Sequence, residues 1–176
     1  MNYNGQVLYD HYVRPEQRIT NFRTWVSGVG PHHMHQAKPF QVAKAECHKL
    51  LKGKIIVGHS LTGDFRVLHL DEQIVPKDKV RDTSKYKKYQ SEHGQAQSLK
   101  NLTQNFLNRS IQKGSHCSIT DARAALALYR LNEQDWENFV KQKSYHSVKQ
   151  IVQQDAGKMA RFFGAGGKKK KHEKLA

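Results

Sequence analysis

Three short stretches of this chain carry residue types able to do chemistry. The first is Gly58-His59-Ser60-Leu61-Thr62-Gly63-Asp64-Phe65. It follows a short apolar run and places an acid in what reads as the first turn of a helix. Ligand sites in open α/β sheets form just beyond the carboxyl ends of strands, which is where this acid falls. The same Asp64 would also suit the positive end of a helix dipole. The second stretch is His116-Cys117-Ser118-Ile119-Thr120-Asp121. Ser118 and Asp121 have the S-x-x-D spacing of a capping box, which gives Asp121 a purely structural reading. His116 stands just outside the same helix start and can lean over its first turn. Histidine is the usual general base near neutral pH. The third stretch, Phe22-Arg23-Thr24-Trp25-Val26-Ser27-Gly28-Val29, mixes a basic residue, small polar residues and glycine. Loops of that composition can hold phosphate or ribose.

Strands and helices must alternate to position these stretches. Asn4-Gly5 is a hairpin-turn signal, and residues 6–13 that follow are rich in β-branched and aromatic types, as a strand requires. A strand there needs a partner, and Met1 to Tyr3 is too short to be one. Residues 16–35 read as a loop with short helical turns. Pro39 suits a first helical position. Phe40, Ala43, Cys47, Leu50 and Leu51 follow at helical spacing, with Gly53 as the stop. Residues 54–59 read as a strand buried on both faces, in the manner of a parallel sheet. Residues 61–70 read as a helix with Phe65 and Leu68 inward, and 79–83 as a further short strand. Ser98 caps a helix carrying Leu99, Leu102, Phe106 and Leu107. Ser118 opens the longest helix, with Ala122, Ala125, Leu126 and Tyr129 on one face. The alternation predicts an α/β fold.

The chain has 176 residues, enough for one domain and a tail. From about Val140 the pattern turns polar, and Gly164-Ala165-Gly166-Gly167 leads into a run of four lysines. Lys and Arg number 30 against 15 Asp and Glu, a formal charge of +15. The lysine run accounts for only part of this excess. A charge of that sign and size favours a polyanionic partner, and nucleic acid is the commonest soluble one. Mean hydropathy is −0.81, and no apolar run approaches the length needed to span a bilayer, so no membrane role is expected. The two cysteines, Cys47 and Cys117, form no CxxC pair and are expected as free thiols. His32-His33-Met34-His35 has no cysteine or acid to complete a zinc set.

In order along the chain these stretches resemble the DEDDh exonucleases. Thr24, Ser27 and Gly28 meet T-x-x-S-G; Gly58, His59, Asp64 and Phe65 meet G-H-x-x-x-x-D-F; His116 and Asp121 meet H-x-x-x-x-D. Leu8-Tyr9-Asp10, Val13-Arg14-Pro15, Arg81-Asp82-Thr83 with Lys85-Tyr86, and Asp121-Ala122-Arg123-Ala124-Ala125 are similar to the RNA exonuclease four family and its interferon-stimulated relatives. The resemblance runs from about Tyr3 to about Trp136. It implies a ribonuclease H-like α/β fold, a mixed sheet flanked by helices, with an exonuclease domain over residues 1–140 and a polar helix and basic tail over 141–176. It implies 3′→5′ exonuclease chemistry on RNA, with single-stranded DNA as a second substrate, ribosomal RNA processing as the setting, and a monomer resident in the nucleus, within it the nucleolus. By resemblance His116 is the base that activates water, and Asp64 and Asp121 are catalytic metal ligands for Mg²⁺ or Mn²⁺. Arg23, Ser27 and His59 form the nucleotide-binding set. In that chemistry two cations about 4 Å apart clamp the attacking and leaving oxygens of a phosphodiester. The resemblance places two of the four carboxylates on an Asp-x-Glu in a first strand, upstream of Met1. The fold is therefore expected to lack that strand, and this stretch of chain is expected to be impaired in catalysis by itself. The alternative is a non-catalytic, basic RNA-binding module or a truncated product with no function of its own.

Overall fold

A computed structural model describes residues 1–143; the glycine linker and the lysine run lie outside the described residues. The chain divides into two units, Met1–Glu133 and Gln134–Ala176. In the second unit residues 134–143 are helical, and Trp136 is buried.

The first unit is built from short parallel strands and five helices. Strand β1 (Val13–Arg14) pairs with β2 (Lys38–Pro39), with Val13 opposite Lys38. Strand β3 (Ile56–Gly58) pairs in parallel with β4 (Val80–Asp82), with Ile56 opposite Val80 and Gly58 opposite Asp82. The strand expected over residues 6–13 is confined to its last residue. The Asn2–Gln6 turn forms, with Gly5 at φ 80, and the backbone after it meets a strand at Tyr12, whose carbonyl accepts the Lys38 N–H at 2.9 Å. Isolated ladders of this size hold only where side chains pack on them.

Helix α1 (Thr24–Ser27) is a single turn, and α2 (Phe40–Leu51) follows β2 directly. Pro39 falls one residue before α2 begins, and Gly53 terminates it with φ 70, the left-handed conformation glycine adopts without strain. Helix α3 (Thr62–Val67) connects β3 to β4, making a βαβ unit. Ile56, Leu70 and Val75 form its core, with Leu61, Phe65, Leu68 and Val80 among the partly buried residues against it. The inward assignment of Phe65 and Leu68 therefore holds.

Helix α4 (Leu99–Leu107) is capped by Ser98, whose hydroxyl accepts the Asn101 N–H at 3.2 Å. It packs on α5 (Ser118–Leu131), and α5 also packs on β3. Between α4 and α5 the fully buried Tyr89 donates its hydroxyl to the Leu128 carbonyl at 2.6 Å and meets Phe106 edge-on at 4.8 Å. The buried stripe of α5 is Ala124, Ala125, Leu128 and Tyr129. Ala122, expected inward, is exposed, and Leu126 is only half-buried; the apolar face is turned by about one residue because α5 must face both α4 and β3.

Candidate active site

The carboxyl ends of β3 and β4 converge on one buried acid. Asp82, the last residue of β4, is 4% exposed. One of its oxygens accepts the N–H groups of Ser60 at 2.8 Å and Ser84 at 3.0 Å and the Ser84 hydroxyl at 2.8 Å. The other accepts the Leu61 N–H at 3.1 Å. This ties the β3–α3 turn to the neighbouring strand. Ser60 sits in that turn at φ 58, a left-handed conformation that a non-glycine residue holds only under constraint. His59, on its amino side, places Nδ1 2.9 Å from the Thr83 hydroxyl, which itself donates to the Gly58 carbonyl at 3.0 Å. The Thr83 proton being committed, His59 Nδ1 is the donor and its Nε2 is left as an acceptor. Burial pushes the His59 imidazole below its ordinary range, against the opposing pull of the Asp82 and Asp121 carboxylates.

Asp64 stands in the first turn of α3 at the surface. Loss of surrounding water is the larger cause raising its carboxyl above the usual carboxylate range, and the Asp82 charge adds to it.

Residues 116–121 take a different shape from a capping box. Cys117 is the N-cap of α5, so Ser118 already lies inside the helix. Asp121 is thereby released from a capping role. Its Oδ1 accepts from the Gln112 amide at 3.1 Å, and its Oδ2 faces His116 Nδ1 at 3.5 Å. Gln112 also holds a positive φ, 56°. The third stretch abuts this pair: the Val26 carbonyl of α1 accepts the His116 N–H at 2.7 Å. Arg23 precedes α1 at φ 46, a further constrained residue. Ser27 donates to the Phe22 carbonyl at 3.0 Å and accepts the Val29 N–H at 3.1 Å, and Thr24 donates to the Val29 carbonyl at 2.7 Å. These hydroxyls brace the loop.

His116 and Asp121 are thus in direct approach. Asp121 lies within electrostatic reach of His59, and Asp64 within that of Asp82. No hydrogen bond or ion pair joins Asp64 to His116 or Asp121 among the described residues. Asp82, Gln112 and Thr83 were not singled out by spacing, since each acts on a partner remote from any local motif. Arg81-Asp82-Thr83 entered only through the family resemblance, and the polar run it opens with Ser84 at the end of a short strand is buried in all four residues.

Among the described residues no three His, Cys, Asp or Glu side chains gather closely enough to hold a metal ion by themselves. Asp64 and Asp121 offer hard carboxylate oxygens, the donors that Mg²⁺ and Mn²⁺ take. Each is a donor of the kind accepted by a cation that takes one or two carboxylates and completes its shell from phosphate and water. A separate hollow of about 470 Å³ is lined by Tyr9, His11, Lys38, Glu46, Lys49 and Lys54. Its acid is already occupied, since Lys38 and Tyr9 donate to Glu46 at 2.7 and 2.8 Å.

A βαβ unit with acid and histidine beyond its strand ends has the ligand-site arrangement of an α/β protein, and the matches that follow place the fold in the ribonuclease H-like class. The family model described as Exonuclease matches residues 3–129, and the chain belongs to that family. It is similar to RNA exonuclease 4 of Debaryomyces hansenii, with 43% identity over 80% of this chain and 51% of the relative. Among solved structures it is similar to the catalytic unit of Neurospora crassa Pan2, which comprises protease and nuclease domains. That match has a TM-score of 0.63 and 29% identity over 84% of this chain and 24% of the other. It is also similar to a pseudoubiquitin hydrolase–RNA exonuclease module of Saccharomyces cerevisiae Pan2 in complex with AAGGAA RNA. There the TM-score is 0.59, with 27% identity over 82% of this chain and 24% of the other. The chain thus spans about half the length of the first of these and about a quarter of the others.

Proposed function

We propose that this chain removes nucleotides from the 3′ end of RNA by phosphodiester hydrolysis, in the processing of ribosomal RNA. The observation that carries the reading is the 3.5 Å approach of His116 to Asp121, held against the Arg23 loop through Val26. His116 turns Nδ1 toward the Asp121 carboxylate, and Nε2 takes the proton of an attacking water. The water oxygen bonds to phosphorus, the bond to the 3′ oxygen breaks, that oxygen takes a proton from water to become the new 3′-hydroxyl, and a nucleoside 5′-monophosphate leaves. Arg23 meets a phosphate, and His59 offers Nε2 as an acceptor to the ribose. Mg²⁺ or Mn²⁺, held by Asp64 and Asp121 with phosphate oxygens of the substrate, would stabilise charge developing on phosphorus. The similarity to RNA exonuclease 4 and to a module solved with RNA supports RNA as substrate; single-stranded DNA is the second candidate. The test is end-labelled RNA with Mg²⁺. A ladder of 5′-mononucleotides abolished by Asp121→Ala is expected, and an unchanged ladder in that variant overturns the site assignment.

The charge of +15 and the absence of a three-ligand metal group among the described residues favour a second reading, a non-catalytic RNA-binding module. It predicts metal-independent RNA binding that weakens steeply with salt, with no ladder. The first reading also sets the protein in the nucleus, concentrated in the nucleolus. A fluorescent fusion spread through the cytoplasm would count against that placement.

A further inference from the structure

Trp25 is 81% exposed, the most exposed large apolar side chain among the described residues. Single exposed apolar residues are common, but an indole joins a large apolar face to a polar edge and is the side-chain type enriched at contact surfaces. The element here is rigid. The single turn of α1 is bounded by left-handed residues at both ends, Arg23 at φ 46 and Gly28 at φ 70. It is cross-braced by the Thr24 and Ser27 hydroxyls. The next residue, Val26, holds the backbone of His116 at 2.7 Å. The indole is therefore carried by the loop that fixes the candidate base, two residues from the Arg23 guanidinium. Every nucleobase offers a π-face, and stacking on an exposed aromatic beside a cation that meets phosphate is how single strands are gripped without regard to sequence. The chain's charge of +15 supplies the complementary field for such a strand.

We propose that Trp25 is a stacking platform for a base of the single-stranded RNA whose end enters the site, a reading that rests on the proposed function. Stacking there holds the strand through a base, while Arg23 and the general basic charge hold it through phosphate.

The intrinsic fluorescence of the full chain tests this. The chain has two tryptophans, and Trp136 is 5% exposed, so a Trp136→Phe background leaves Trp25 as the sole emitter. A short oligoadenylate, added with chelator to prevent hydrolysis, is expected to quench that emission. An oligonucleotide of the same length with every base removed is expected to bind through phosphate without quenching. Trp25→Ala is expected to weaken oligoadenylate binding on the order of tenfold, and Trp25→Tyr to retain most of it. Equal quenching by the abasic strand, or unchanged affinity in Trp25→Ala, overturns the proposal. Concentration-dependent quenching without RNA overturns it in favour of self-association. Quenching by oligoadenylate with no mononucleotide ladder in Mg²⁺ leaves the platform standing and rejects the hydrolytic reading. A ladder with no base-dependent quenching does the reverse, and failure to bind either strand overturns the platform while the ladder in Mg²⁺ decides the hydrolytic reading.

Discussion

The carboxylate of Asp82 accepts the backbone N–H of Ser60 at 2.8 Å, across 22 residues of sequence. That bond, with those to Leu61 and Ser84, fixes the turn from which Asp64 projects. Removing the acceptor leaves three backbone donors without it, in bonds that are buried or half-buried. Asp82→Ala is expected to lower stability by about 3 kcal/mol, and Asp82→Asn, which keeps one oxygen, by less. Urea denaturation checks both. If Asp82→Ala left the midpoint unmoved, the turn would be held by something other than this acid.

Asp64 makes the opposite prediction. Its carboxyl is raised because the charged form loses water and faces Asp82. An acid raised in the folded state contributes stability below the pH at which the unfolded chain titrates, and loses it as pH rises through the folded value. At neutral pH its charge is therefore a burden on the fold. Asp64→Asn is expected to raise the melting temperature at neutral pH by roughly 2 °C, a small effect because the group is exposed and screened by solvent. The difference should close near pH 4. Mg²⁺ should raise the melting temperature of the unaltered chain and leave Asp64→Asn nearly unmoved. A destabilised Asp64→Asn at neutral pH would show that the acid serves the fold.

Much of this arrangement was legible from local pattern. The Ser98 cap, the Gly53 stop and the apolar spacing of α2 and α4 are short-range features, and the structure reproduces them. The two strands β3 and β4 were likewise expected from composition, but their pairing, Ile56 opposite Val80, was not. What pattern could not give was long-range. Asp82 looks like any strand-end acid until its partners Ser60 and Leu61 are brought beside it. The N-cap of α5 fell on Cys117 and not on Ser118, a shift of one residue that turns Asp121 from a capping group into a partner of His116. Residues 6–11 have strand composition, but among the described residues no strand is paired with them, and composition cannot supply a hydrogen-bonding neighbour.

Gly28 couples the Arg23 loop to the His116 segment. Its φ of 70 disfavours any side chain, and an added Cβ would stand 3.1 Å from the Ser115 hydroxyl. Gly28→Ala is expected to cost about 1 to 2 kcal/mol and to reduce RNA hydrolysis further than that loss of stability explains, by displacing His116. Adding Ser115→Gly removes the clash and leaves the backbone strain, so part of the activity should return. Activity equal to that of the unaltered chain in Gly28→Ala would mean that the loop and His116 move independently.

His59 ties the site to pH. Burial holds its imidazole below the ordinary value of 6.5, and its Nδ1–H is spent on Thr83. The unfolded chain therefore takes up a proton at a higher pH than the folded one. A histidine depressed in this way gives stability that is whole above about pH 6.5 and declines as pH falls toward the folded value. His59→Gln is expected to cost about 1 kcal/mol near pH 7.5, through the lost bond to Thr83, and distinctly less near pH 5.5, where the unaltered chain carries the protonation penalty that glutamine avoids. Urea midpoints for both proteins at the two pH values measure the difference. The narrowing follows from the neutral state of His59, because a histidine charged in the fold would make the gap widen on acidification. A cost that grows as pH falls would place a proton on His59 and make it a cationic contact for phosphate, in place of the acceptor assigned to its Nε2.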